Sequence, residues 1–149
     1  MIRVFFLIAI TFFTLQSEVL AQEPWTEQQL IEPSELAATI ESGDQQLPYI
    51  VSVSPKGAHG LRPGKGIKGA VDFGAADESE NLKKLKASLE ALPKDTEIVL
   101  YCGCCPFDVC PNIRPAFSLL NEMKFTNHKL LNLKKNLRVD WMNKGYPMN

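Results

Sequence analysis

The sequence predicts an α/β domain: a mostly parallel central sheet flanked by helices on both faces. Three observations carry that expectation. Short apolar, β-branched runs at 49–53, 97–101 and 128–133 alternate with segments of helical periodicity, the pattern of strands joined by crossover helices. The chain has 149 residues, 45% of them hydrophobic and 22% charged, enough for one core and one domain. All four cysteines fall in one stretch, Tyr101-Cys102-Gly103-Cys104-Cys105-Pro106-Phe107-Asp108-Val109-Cys110-Pro111-Asn112-Ile113-Arg114-Pro115, directly after one of the strands. That is the loop position where parallel sheets place ligands. A formal net charge of -1 provides no electrostatic footprint for nucleic acid, which is excluded as a partner.

The first residues read as a targeting segment. Met1-Ile2-Arg3 is a short basic start, Val4 to Leu15 is almost wholly apolar, and Val19-Leu20-Ala21 offers small or short side chains to a signal peptidase. The apolar run falls short of the roughly 20 residues a membrane-spanning helix needs. We therefore expect a secretory signal peptide at 1–21, a mature domain at 22–149, and a secreted or periplasmic protein with no membrane association after cleavage. Such compartments are oxidising and place free thiols at risk of pairing.

Along the mature chain, Thr26 with Gln29 three residues on forms a capping-box pattern for a first turn. Leu30-Ile31 is a brief strand. Pro33 suits the first position of a helix reaching about Glu41, with Leu36, Ala37 and Ile40 on its apolar face and Gly43 as its C-terminal cap. After the strand at 49–53 comes a glycine-rich loop, 54–66, carrying Lys56, His59, Arg62 and Lys65; it reads either as an anion-attracting loop beside the site or as a solvated one. Its glycines fit no phosphate-binding pattern. Ala70–Phe73 is a short strand. Leu82, Leu85, Leu89 and Leu92 mark one helix face that Pro93 ends, its lysines being a wet surface. The segment 116–123 is a helix, with Phe117, Leu120 and Met123 on one face. A last helical turn or two spans about 137–144, with Trp141 inward and Gly145-Tyr146-Pro147 as the stop.

The unit of strand, cysteine loop and helix has a chemical consequence. A helix N-terminus presents unpaired N–H groups and partial positive charge, which bias a nearby thiol toward the thiolate that attacks sulfur and binds metals. Prolines 106, 111 and 115 stiffen the loop and its exit. Cys102 sits at the strand end and is the preferred nucleophile; Cys110, just before the candidate N-cap Asn112, is a second.

The order of segments resembles the rhodanese (sulfurtransferase) family over about Leu30 to Pro147. Ile31-Glu32-Pro33-Ser34-Glu35-Leu36 is similar to that family's opening strand and helix. Ile67-Lys68-Gly69-Ala70-Val71 is similar to its H-I-x-G-A segment, with Gly66 where histidine is usual. Ile98-Val99-Leu100-Tyr101-Cys102 resembles the strand that delivers its catalytic cysteine, and Asn132-Leu133, Trp141 and Gly145-Tyr146-Pro147 resemble its closing signature. The resemblance implies that Cys102 carries a sulfane sulfur as a persulfide between a small sulfur donor and a thiol or other thiophilic acceptor. It implies that Arg114 closes the active-site loop and orients it or a substrate oxyanion, and it calls for no cofactor and no metal. Three departures stand out. The loop from Cys102 to Arg114 is longer than the family's and holds Cys104, Cys105 and Cys110. Ser52-Val53-Ser54 stands where D-x-R is usual. Lys134-Lys135-Asn136 replaces a glycine pair after the last strand.

Two other chemistries stay open. Cys102 with Cys105 is a C-x-x-C, so Cys104, Cys105 or Cys110 would act as a resolving thiol or disulfide partner in dithiol exchange with a partner redox protein. The wording resembles thioredoxin sites, but too little chain follows for that fold. The four cysteines would alternatively hold a soft metal such as Cu(I) or zinc, although their closeness in sequence makes a tetrahedral zinc site hard to close. A disulfide from Cys104 or Cys105 to Cys110 that only staples the loop is the plainest reading. His128 begins a strand and is expected to be structural, and a lone loop histidine, His59, makes no general-base case.

Overall fold

The computed structural model describes residues 22–43, 46–58 and 65–149. The expected signal peptide at 1–21, His59 and Arg62 lie outside these. Five strands form one parallel sheet: β1 (Leu30–Ile31), β2 (Tyr49–Ser52), β3 (Val71–Asp72), β4 (Ile98–Tyr101) and β5 (His128–Leu131), in the order β1-β5-β4-β2-β3. Among the described residues four α-helices accompany them: α1 (Pro33–Ser42), α2 (Ser79–Glu90), α3 (Ile113–Glu122) and the short α4 (Leu137–Asp140). The α/β class, the parallel sheet and the single domain are those the sequence predicts.

Alternation along the strands sorts the core into two halves. Val51, Ile98, Leu100 and Leu130 point to one face, where Leu85 and Leu89 of α2 and Ile113, Ala116, Phe117 and Leu120 of α3 cover them. Ile50, Val99, Tyr101 and Leu131 point to the other, beneath Leu36, Ala37 and Ile40 of α1 and Leu137 and Trp141 beside α4. Helices thus flank both faces. β4 is the middle strand and all four of its residues are buried, as a strand covered on both sides must be.

Local chemistry accounts for the ends. Thr26 N donates to Gln29 Oε1 at 3.0 Å, closing the expected box. Pro33 opens α1, and Gly43 ends it in the left-handed region at φ 68°, a conformation glycine adopts without strain. α2 stops at Glu90, two residues before Leu92, which still packs on the core. The expected last helix is broken at Trp141 into α4 and a 3-10 turn, Met142–Lys144. The break seats the fully buried Trp141 ring so that its Nε1 donates to Pro147 O at 3.0 Å, a bond a straight helix would not reach. α3 begins at Ile113, earlier than expected, because Pro115 fits a first helical turn, where its missing N–H would be unpaired anyway.

Candidate functional site at the end of the central strand

β2 and β4 are neighbours, but the chain leaves β2 toward the β3 edge and leaves β4 toward β5. The loops after them diverge, which opens a crevice at their carboxyl ends, the switch point where parallel sheets bind ligands. Ser52-Val53-Ser54 and Cys102-Gly103-Cys104-Cys105 meet there. Ser54 Oγ accepts the Gly103 N–H at 2.8 Å and the Ser52 hydroxyl donates to Ser54 at 3.1 Å. Ser52 and Ser54 therefore tie the start of the cysteine loop to β2 through hydroxyls. From the other side, Leu137 N donates to Gly103 O at 3.2 Å and Phe107 N to Leu133 O at 3.1 Å. Asn136 caps α4 by accepting the Val139 N–H at 2.9 Å. Gly66 has no room for a side chain: a Cβ there would lie 2.7 Å from the Tyr101 hydroxyl.

All four cysteines are free thiols. Cys104 Sγ is the hub, 3.2 Å from Cys102 Sγ, 2.8 Å from Cys105 Sγ and 3.7 Å from Cys110 Sγ. The sulfurs of Cys102, Cys104 and Cys110 all lie within 4.8 Å of one another. Cys102 and Cys110 are buried, at 1% and 0% exposure, while Cys104 and Cys105 are partly open to solvent. The loop folds back so that a 3-10 turn, Phe107–Val109, brings Cys110 over Cys102.

The electrostatics separate the two candidate nucleophiles. The Cys102 thiol is pushed well up, first because it serves as hydrogen-bond donor to Cys110, then by burial, although the Cys104 amide points at it. Cys110 is pulled down to about 5, first by the hydrogen bond from Cys102, then by the Asn112 amide and the Cys105 and Cys104 thiols, against its burial. Burial and contact with Cys104 push Cys105 up. The two shifts run in opposite directions, with Cys110 the more acidic of the pair and Cys102 the less.

Sequence reasoning missed two positions. Asn112 bounds α3 but makes no side-chain cap. Its Nδ2 instead faces Cys102 Sγ at 3.7 Å and Cys110 Sγ at 3.8 Å, and its Oδ1 accepts the Asp77 N–H at 3.1 Å. Ser54 is the other. An asparagine after Cys-Pro reads as a cap from sequence alone, and only the fold shows that it reaches the sulfurs. Arg114 does not face the thiols. It donates to Glu23 Oε1 at 2.6 Å and to Asp108 O of the cysteine loop at 2.7 Å, and lies 5.6 Å from the Trp25 ring. His128 is buried against Phe117 with its Nε2 2.8 Å from Asn121 Oδ1, a structural placement.

A cavity of about 320 Å³ opens at the same end of the sheet, on the Tyr101 face, with Ser52, Ser54, Lys56, Lys65 and Asp72 on its wall. Two of the loop's expected cations thus border it, Lys65 also donating to Asn149 O at 3.1 Å. Among the described residues no cysteine lines this cavity; Ser54, which holds the Gly103 N–H, does.

No family model matches the chain, and no curated protein matches it. Among solved structures it is similar to the Alr3790 protein from Anabaena sp., with a TM-score of 0.56 and 18% identity over 80% of this chain and 90% of that one. At that identity the likeness is one of fold: a single α/β domain of matching extent.

Proposed function

We propose that the protein is a sulfurtransferase that carries sulfane sulfur as a persulfide on its cysteine loop, taking it from a small donor and passing it to a thiol acceptor. One observation carries the reading. A partly exposed sulfur, Cys104, contacts two buried ones at the switch point of the sheet, and the Asn112 side-chain amide and the Cys104 and Asn112 backbone amides are directed at the buried pair. Such fixed donors favour an anionic sulfur without needing to reorganise.

We assign the attacking role to Cys104 rather than to Cys102, because Cys104 is partly exposed and Cys102 is buried. A donor therefore reaches the Cys104 sulfur, and its proton leaves to solvent. The Cys104 thiolate attacks the outer sulfur of thiosulfate or a polysulfide. The new S–S bond makes the persulfide, and the old S–S bond breaks to release sulfite or the shortened polysulfide. An acceptor thiolate then attacks the outer sulfur and frees Cys104.

A dithiol reading rests on the same contacts. Cys110 attack on the inner sulfur of the Cys104 persulfide would release hydrosulfide and leave a Cys104–Cys110 disulfide, which a partner redox protein must re-reduce.

The test is anaerobic incubation of reduced protein with thiosulfate or polysulfide, then peptide mass mapping. The expected product gains the mass of one sulfur on Cys104, and Cys104→Ser loses it. An adduct confined to Cys102 would return the attacking role to the strand end. No adduct with any donor would remove the sulfurtransferase reading.

A further inference from the structure

Beyond sulfur transfer, we propose that Cys102, Cys104 and Cys110 form a binding site for one Cu(I) ion. Three soft donors already converge: Sγ separations are 3.2 Å for Cys102 to Cys104 and 3.7 Å for Cys104 to Cys110, and all three lie within 4.8 Å. Metal–sulfur bonds of about 2.3 Å set trigonal S···S distances of about 4 Å, so each sulfur need move by less than about 1 Å.

Donor type and number choose the ion. Thiolate sulfur selects Cu(I) and zinc over harder cations. Structural zinc closes four ligands in a tetrahedron, and open zinc sites fill the fourth position with water. Among the described residues no histidine or carboxylate joins the three sulfurs. Cys105 Sγ touches Cys104 Sγ at 2.8 Å but stands outside the set of three. Cys102 and Cys110 belong to the apolar cluster of α2 and α3, with Ile113 and Ala116, which leaves little place for a fourth, aqueous ligand. A three-coordinate soft ion fits such a pocket.

The surroundings are built as outer support for a metal. The Asn112 amide faces two of the sulfurs, at 3.7 and 3.8 Å, and the Asp77 N–H bond to its Oδ1 fixes which end of the amide does so. Cys104, partly exposed, gives the ion its way in. Binding is not a redox step: copper enters and stays as Cu(I), and each thiol that ligates loses its proton to solvent.

Copper and persulfide need the same Cys104 sulfur, so they are mutually exclusive occupants. The copper site does not depend on the sulfur-transfer reading, and its test uses no sulfur donor. Reduced protein is titrated anaerobically against a chromophoric Cu(I) chelator. One equivalent of Cu(I) should be withdrawn from the chelator, and X-ray absorption should show three sulfur neighbours at about 2.3 Å. Cys104→Ser and Cys110→Ser should lose the ion, while Cys105→Ser keeps it and serves as the folded control. Asn112→Ala, which leaves the ligands in place, should weaken binding by about 10–100-fold. Failure to compete for Cu(I), tighter retention of Zn(II), or equal loss in Cys105→Ser would each overturn the proposal.

Discussion

Ser54→Ala removes one oxygen and tests how the loop is held. The hydroxyl accepts the N–H of Gly103, a buried residue, at 2.8 Å and is itself held by Ser52 at 3.1 Å. Leaving a buried donor without a partner costs about 1–3 kcal/mol. Two features of the structure move the expected value to the lower part of that range. Ser54 is only half-buried, and it borders the 320 Å³ cavity, which is roomy enough for a water to replace the lost oxygen. We expect urea unfolding to show a loss of about 1–1.5 kcal/mol with the m-value unchanged. Ser54→Thr, which keeps the hydroxyl, should lose less. Gly103 lies between Cys102 and Cys104, so the loosened anchor should also raise the rate at which Cys104 reacts with an alkylating reagent. A change below about 0.5 kcal/mol, within the noise of ordinary surface substitutions, together with unaltered alkylation, would refute the claim that this bond positions the cysteine loop.

Other outcomes follow from the same geometry. Gly103→Ala would place a Cβ 3.1 Å from Leu137 Cβ and 3.3 Å from its Cδ2, and should cost about 1–3 kcal/mol by overpacking, read as a lowered urea midpoint. Arg114→Ala breaks an exposed pair with Glu23 and the bond to Asp108 O of the cysteine loop, and should cost about 1–2 kcal/mol while leaving sulfur loading intact; a loss of loading would give the arginine a role at the site. Burial holds His128 below its ordinary value, against the pull of the Phe125 carbonyl, so the unfolded chain binds the extra proton. Its contribution is full above the ordinary histidine value of about 6.5 and is lost as pH falls through and below it. Urea midpoints should therefore drop from pH 7.5 to pH 5.5, and His128→Gln, which keeps a polar group beside Asn121, should flatten that part of the profile.

The fold was legible because its signals are local. Apolar runs of strand length, leucines at helical spacing, Pro33 at a helix start and Gly43 in the left-handed region each report a backbone preference that the tertiary structure did not override. The position of the cysteine loop after a central strand follows from the same periodicity. Trp141 illustrates the limit: its inward packing is readable from sequence, but the helix break that seats it depends on a bond to Pro147 made only in the folded chain.

Which thiol is the more acidic is a different kind of property. The sequence determines that four thiols share one short loop beside a helix start, and so that sulfur or soft-metal chemistry is possible there. It ranks Cys102 first because that residue ends the strand. Only the folded loop, turned back through Phe107–Val109, buries Cys102 beneath Cys110, leaves Cys104 facing solvent and brings the Asn112 amide onto both buried sulfurs. It also pairs Arg114 with Glu23. Thiol acidity depends on burial and on donors a few ångströms away, and those donors come from residues whose nearness is set by loop closure, not by spacing along the chain.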